Sequence, residues 1–371
     1  MRVAQVSFYT DPAGRTPEQL LRDWSSLVDV AECATCAGAK VCVVQASAYT
    51  QKLSRDGVDY YFLPFGGGVP RGHTDEAFVR LLRKLAPDVL HIHGLGFPRD
   101  VETLAANIPE APIVLQDHAS VPPRLWKRAQ WRRGFRVAAG ITFCSRSQAR
   151  PFEKARLVHS AMRVYEIPES TSRFTPASQD EARRITGLQG DPIVLWVGHL
   201  NGNKDPLTVL RGVSAAARSL PHLQLYCCFG DAPLLSAVRD RICGDPLLRS
   251  RVHLLGRVLH EKVEQLMRAA DIFVSGSHRE GSGYSLLEAL ACGLPPVVTE
   301  IPSFQALTGA GAVGKLWPCG DSRKCAEALL SVAACGREPL RRRVREHFER
   351  ELSFHAVGAK LVSMYESVRR P

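Results

Sequence analysis

Asp271-Ile272-Phe273-Val274-Ser275-Gly276-Ser277-His278-Arg279-Glu280-Gly281-Ser282-Gly283-Tyr284-Ser285-Leu286-Leu287-Glu288 and its continuation, Ala289-Leu290-Ala291-Cys292-Gly293-Leu294-Pro295-Pro296-Val297-Val298, decide the fold of this chain. Residues 272–274 are a short apolar run, Gly281 and Gly283 free the backbone, and Leu286, Leu287 and Leu290 set one apolar helical face that Gly293 and Pro295 end. The stretch therefore predicts strand, glycine-rich turn, helix and second strand, with a glutamate on each side of the turn-to-helix junction. A helix start after glycines is an anion site. Its unpaired N–H groups and the positive end of its dipole point at whatever docks there, most often a phosphate.

The two glutamates separate two chemistries. A glycosidase holds its carboxylates roughly 5 to 9.5 Å apart across one bond, whereas eight helical steps put Glu280 and Glu288 about 12 Å apart. They suit the two ends of an elongated ligand better, with a diphosphate on the helix start between a sugar and a nucleoside. The plainer reading is one solvated loop carboxylate and one surface helix carboxylate.

Glu280-x7-Glu288 followed by Ala289-Leu290-Ala291-Cys292-Gly293-Leu294-Pro295 resembles the retaining GT-B glycosyltransferases of family 4. That resemblance implies an α/β fold of two Rossmann-like parallel-sheet domains facing a cleft, with a C-terminal helix crossing back to the first domain. It implies transfer of a sugar from a nucleotide-sugar donor to an acceptor with retention, without metal or other cofactor. Glu280 then lies by the donor sugar, Glu288 binds the ribose hydroxyls, and amides of Gly281, Ser282, Gly283 and Tyr284 contact the diphosphate or sugar.

Other segments carry the same resemblance. Ile193-Val194-Leu195-Trp196-Val197-Gly198-His199 followed by Lys204-Asp205-Pro206 is similar to the strand and loop whose arginine and lysine hold the donor phosphates. Lys204 keeps the lysine. His199 stands where the family has the arginine and replaces a permanent charge with one that titrates near pH 6.5. Gly230-Asp231-Ala232-Pro233 and Val252-His253-Leu254-Leu255-Gly256-Arg257-Val258 resemble the segments bordering the nucleotide, with Gly256, Arg257 and Val258 offering backbone groups to the base. Asp11-Pro12-Ala13-Gly14-Arg15 takes the place of the first glycine-rich loop, with Gly14 alone where the family has two adjacent glycines. His118 matches the histidine that contacts the donor sugar. The resemblance thus assigns catalytic roles to His118, Glu280 and Lys204.

At 371 residues, a prior of roughly 150 per domain gives two or three domains. Strands are predicted at 3–9, 41–45, 89–93, 113–115, 140–144 and 164–167, then at 193–197, 223–228, 252–254, 272–274 and 296–298. Their alternation with helices predicts two layers of parallel sheet. Residues 168–176 read as a polar, proline-bounded linker between a first domain at 1–170 and a second at 177–350. The segment 352–371 resembles the family's terminal helix and joins the first domain. In open parallel sheets ligands bind beyond the carboxyl ends of the strands.

No N-terminal segment has a charged-then-apolar pattern and no apolar run reaches about 18 residues, so a cytoplasmic protein, at most peripheral to a membrane, is expected. Eleven cysteines are expected as reduced thiols, and Cys33 and Cys36 on a helix flank. Two rival functions stay open: a silent sugar-nucleotide binder, suggested by His199, Gln305 and the thin first loop, and a metal-dependent hydrolase built on His91, His93, Asp117 and His118. Gly309-Ala310-Gly311-Ala312-Val313-Gly314 spells a dinucleotide fingerprint, but neither follows a strand nor opens a helix, and reads as a structural loop.

Net charge is +11. Between Asp117 and Glu153 there is no carboxylate, yet Arg124, Lys127, Arg128, Arg132, Arg133, Arg136, Arg146 and Arg150 fall there beside Trp126 and Trp131. Arg124, Arg128, Arg132 and Arg136 are four apart, so one helix would stack them at about 0.2–0.5 kcal/mol of repulsion per pair. Such a stripe suits a phosphorylated acceptor or an anionic membrane surface; a solvated face neutralised by carboxylates from elsewhere is the rival. Nucleic acid is not expected, because no aromatic platform or binding motif accompanies the charge.

Overall fold

The computed structural model describes residues 1–65 and 76–369. The chain divides into two units, Met1–Thr171 with Phe354–Pro371, and Ser172–Ser353. Unit 1 holds β1 (Arg2–Ser7), β2 (Lys40–Ser47), β3 (Gln51–Arg55), β4 (Val58–Pro64), β5 (Val89–His93), β6 (Ile113–Gln116), β7 (Ala138–Phe143) and β8 (Arg163–Glu166), in the order β3-β4-β2-β1-β5-β6-β7-β8. Unit 2 holds β9 (Ile193–Gly198), β10 (Gln224–Phe229), β11 (Val252–Gly256), β12 (Ile272–Ser275), β13 (Pro296–Thr299) and β14 (Lys315–Trp317), in the order β11-β10-β9-β12-β13-β14.

Strands form at all eleven predicted places, and three more appear. β3 and β4 are a hairpin whose antiparallel pairing makes the first sheet mixed, not wholly parallel. Asp56 and Gly57 turn it with φ of 48° and 79°, the left-handed pair that an Asp-Gly turn supplies. Within unit 1 the sheet buries both faces, as parallel strands flanked by helices do: Ala4 and Val6 of β1 join one apolar cluster and Val3 the other.

The division between the units falls within the polar stretch 168–176 read as a linker, and part of that stretch is buried. Glu169, Ser170, Thr171 and Ser172 are buried, and the Ser170 hydroxyl donates to Asp29 at 2.9 Å. Thr175 belongs to unit 2, where its amide donates to Glu264 at 2.9 Å. Polar composition here reflects partnered buried groups, a pattern that burial requires and that composition alone cannot distinguish from solvation.

The helix Phe354–Arg369 packs in unit 1 through Val357, Gly358, Leu361, Met364 and Tyr365. Gly358 lets it approach the helix Ser25–Cys36 so closely that a Cβ there would lie 2.1 Å from the Cys33 carbonyl oxygen. Gly→Ala inside a helix ordinarily stabilises by about 1 kcal/mol. Here the clash reverses the sign, and Gly358→Ala is expected to cost roughly 1–3 kcal/mol. Denaturant unfolding checks this; an unchanged or raised midpoint would mean the two helices separate without penalty.

Candidate functional site

Reading unit 2 from its edge, the strand order is that of a doubly wound sheet, with the chain reversing direction of progress between β9 and β12. At such a switch point the following loops diverge and leave a crevice beyond the strand ends. The loop after β9 carries His199 and Lys204, and the loop after β12 carries Glu280. The two loops are zipped together. The His278 amide donates to the Asn203 carbonyl at 2.8 Å, and the Asn203 side chain donates to the Arg279 carbonyl at 3.0 Å. Asp205 caps the helix Pro206–Ala216 from a left-handed backbone, φ 45°, and its carboxylate lies 3.2 Å from His278 Nε2. A glycine allows the approach: a Cβ at Gly276 would sit 2.9 Å from Val209 Cγ2 and 3.0 Å from the Lys204 carbonyl oxygen.

The zipper sets Lys204 Nζ 2.5 Å from Glu280 Oε1, with the two side chains only 19% and 15% exposed. Beside them the helix Tyr284–Ala291 opens on Gly283 at φ 95°, without a side-chain cap. A Cβ at Gly283 would lie 2.6 Å from Phe304 Cε1, so glycine is required there by both conformation and space. Only part of 280–288 is helical. The separation of Glu280 and Glu288 is therefore not the eight helical rises expected, because the glycines bend the chain before the helix begins.

Glu288 has a partner that sequence reasoning missed. His260 Nε2 lies 2.5 Å from Glu288 Oε1, and the His260 ring packs on Phe174 with centroids 4.7 Å apart. No spacing rule pointed to His260; it stands two residues past Val258, at the first turn of the helix His260–Ala269. On the other side, His199 Nδ1 accepts the Asp231 amide at 3.0 Å, so the ring hydrogen sits on Nε2. Arg257 reaches toward the same group, its Nη2 3.9 Å from Asp231 Oδ1, across Gly230, where a Cβ would meet both His199 and Arg257. Gly256 ends β11 at φ 70°, where the pairing with β10 shifts register.

In unit 1 the switch point lies between β1 and β5, and a cavity of about 370 Å³ opens there, lined by Ser7, Tyr9, Trp24, Gln45, His93 and His118 among others. A polar network underlies it. Gln5 Nε2 donates to the Tyr365 hydroxyl at 3.4 Å, which turns Gln5 Oε1 toward His93 Nε2 at 3.2 Å. Thus His93 donates from Nε2, and its Nδ1 lies 3.2 Å from His118 Nε2. His118 Nδ1 lies 2.6 Å from Glu169 Oε2. Both His118 nitrogens are engaged inside unit 1. His91 Nδ1 pairs with the Tyr365 hydroxyl at 2.7 Å. Gly14, at φ 64°, closes a turn with its amide donating to the Asp11 carbonyl at 3.2 Å, while Asp11 chelates Arg15, which holds the carboxyl down at about 2.

These bonds bear on the rival readings. His91 and His93 do share one face, with ring centroids 4.8 Å apart, but among the described residues no group of three or more His, Cys, Asp or Glu is placed to hold a metal. Residues 309–314 form a loop between the helix Pro302–Leu307 and β14, and Gln305 is exposed on that helix with no role the structure explains. The basic stripe is not one helical face. Helix begins at Arg128, after a 3₁₀ turn at Leu125–Lys127, and leaves Arg124 outside it. Arg132 donates to the Ala155 and Arg156 carbonyls, and Arg133 pairs with Glu102 at 3.5 Å.

Comparison with known proteins places these features. Residues 191–334 match the family model described as Glycosyl transferases group 1. The D-inositol 3-phosphate glycosyltransferase of Mycolicibacterium smegmatis is 32% identical over 196 residues, 51% of this chain and 44% of that protein. The phosphatidyl-myo-inositol mannosyltransferase of Mycobacterium leprae is 26% identical over 334 residues, 82% of this chain and 81% of that protein. Against the first three curated relatives the match spans 44%, 60% and 50% of their length. The structure of Anabaena HepE in complex with UDP and glucose is similar with a TM-score of 0.67 at 17% identity, over 99% of this chain and 100% of that one. The fold is GT-B, two Rossmann-like domains.

Burial makes one property of the network measurable. It pushes the His91 imidazole down to about 3 and His93 well below its usual range, with neighbouring histidine charge adding to the effect. The unfolded chain takes up these protons near pH 6.5 and the folded one does not, so stability is lost as pH falls below 6.5, by about 1.4 kcal/mol per unit per histidine. His91→Gln is expected to lose about 1.4 kcal/mol less than the parent chain between pH 7.5 and 5.5 in denaturant unfolding. Identical losses would show that His91 is not held neutral.

Proposed function

The chain belongs to the group 1 glycosyl transferases through residues 191–334, and on that footing we propose that it moves a sugar from a nucleotide-sugar donor to an acceptor hydroxyl with retention of anomeric configuration. The observation that supports this reading most is the Lys204–Glu280 pair at 2.5 Å, at the switch point and beside the uncapped helix start. A cation and a carboxylate side by side match the two adjacent parts of such a donor, phosphate and sugar. Lys204 and the positive helix end draw the diphosphate, and Glu280 accepts from sugar hydroxyls. Glu288 accepts from the ribose diol in place of His260.

In the transfer, the bond from the anomeric carbon to the phosphate oxygen breaks and a bond from the same carbon to the acceptor oxygen forms on the same face. The acceptor proton passes to the departing phosphate oxygen, so no side chain is consumed. Charge growing on that oxygen is where preorganised donors lower the barrier: Lys204, the Nε2 hydrogen of His199 and the amides at Gly281–Gly283. In this reading the phosphate charge is met without a metal ion. The HepE structure, solved with UDP and glucose, supports a nucleotide donor.

Titration calorimetry with a panel of nucleoside diphosphates tests the site. Lys204→Ala is expected to weaken the best binder roughly 10- to 150-fold, the worth of a charged hydrogen bond at about 1.5–3 kcal/mol. Glu288→Ala should weaken nucleosides more than inorganic diphosphate. Affinities unchanged in both variants would move the donor site elsewhere. Release of free sugar and nucleoside diphosphate from the donor without acceptor, undiminished after chelation, separates a metal-independent enzyme from a silent binder.

Because His260 already occupies Glu288 at 2.5 Å, removing the imidazole should free that carboxylate for the ribose, and His260→Ala is expected to bind nucleosides more tightly than the parent chain in the same calorimetry. An unchanged affinity would show that the ribose does not compete for Glu288.

A further inference from the structure

Arg124, Leu125, Trp126 and Lys127 are four consecutive exposed residues. Leu125 is 74% and Trp126 70% exposed, and Val121, just before the paired prolines, 55%. A scattered surface leucine needs no explanation. A leucine and a tryptophan presented together on a 3₁₀ turn, with a valine beside them in sequence, do. The Arg124 guanidinium carbon lies 5.2 Å from the Trp126 ring centroid, so cation and indole share one surface. The Arg128 side chain donates to the Pro123 carbonyl at 3.3 Å and ties the turn to the start of its helix.

Charge completes the pattern. Residues 118–152 contain no carboxylate. Arg132 and Arg133 are drawn to carbonyls and to Glu102, and Arg128 is tied to the Pro123 carbonyl, so the exposed cations at the tip are Arg124 and Lys127. An apolar tip with an indole, rimmed by basic side chains, is matched by the boundary between anionic headgroups and acyl chains: the indole prefers that depth, and the cations meet lipid phosphates. An acidic soluble protein offers the charge without a hydrocarbon layer for Leu125 and Trp126. No described helix is long and apolar enough to cross a membrane, so the contact is peripheral.

We propose that the segment 121–128 seats unit 1 on an anionic lipid surface by inserting Leu125 and Trp126 between headgroups. The full chain is pelleted with sucrose-loaded vesicles of phosphatidylcholine alone or mixed with phosphatidylglycerol. Binding is expected to the mixed vesicles only, and to weaken as salt shortens the screening length. Arg124→Gln and Lys127→Gln should each weaken partition roughly fivefold. The double variant Leu125→Ser, Trp126→Ser, at exposed positions whose loss leaves the melting temperature in place, should abolish it. In the parent chain, fluorescence should shift to the blue on vesicle addition, and Trp126→Phe should lose that shift. A parent chain that ignores anionic vesicles, or a serine variant that pellets as well as the parent, overturns the proposal; the first result would leave the patch to an acidic soluble partner.

Discussion

Everything at the unit 2 crevice depends on one ion pair whose members come from two loops. Lys204 and Glu280 are 76 positions apart in the chain, and they meet because parallel strands β9 and β12 are neighbours in a sheet whose order reverses there. Breaking a largely buried pair by removing one partner costs about 3–5 kcal/mol, while forming it gains much less. Such an arrangement is a poor device for stability. Its use is to hold a cation and a carboxylate in fixed register at the place where the topology leaves a crevice, and Gly276 is what lets the β12 loop come so close to the Lys204 backbone.

The fold was largely legible in the chain. The 271–298 stretch announced strand, turn, helix and strand because its glycines and its apolar period coincide, and the same logic located eleven strands. What was overlooked had a signal: Asp56-Gly57 between Gln51 and Pro64 is a hairpin turn, and it accounts for the antiparallel edge of the first sheet. β14, three residues long, gave no period to detect. The boundary stretch 168–176 was legible, but the burial of 169–172 within it was not, because polar residues paired inside a fold and polar residues in water look alike in sequence.

The candidate site was legible in its parts and not in its pairings. Spacing and resemblance pointed to Lys204, Glu280 and Glu288 individually. That Lys204 pairs with Glu280, and Glu288 with His260, is long-range geometry with no local trace. The basic stripe shows the reverse failure. Its four-residue period was real in sequence, but a 3₁₀ turn at Leu125–Lys127 precedes the helix that begins at Arg128, so the first arginine lies outside it and the third is spent on the Ala155 and Arg156 carbonyls.

His199 shows how one substitution redistributes charge among neighbours. An arginine at this place would bring a permanent cation and a fork suited to phosphate. The histidine instead accepts the Asp231 amide through Nδ1, and that acceptance fixes its hydrogen on Nε2, a neutral donor. The fixed charge nearby belongs to Arg257, whose guanidinium approaches the Asp231 carboxylate across Gly230. Both side chains are largely exposed, so solvent screens their pairing, and in the function proposed above a donor diphosphate would compete for Arg257 against a single weakly held carboxylate. The loop after β10 thus connects the two: Gly230 leaves the space, Asp231 orients the imidazole with its amide and tethers the guanidinium with its side chain. A fixed cation absent from the end of β9 is present two strands away, just past the end of β11.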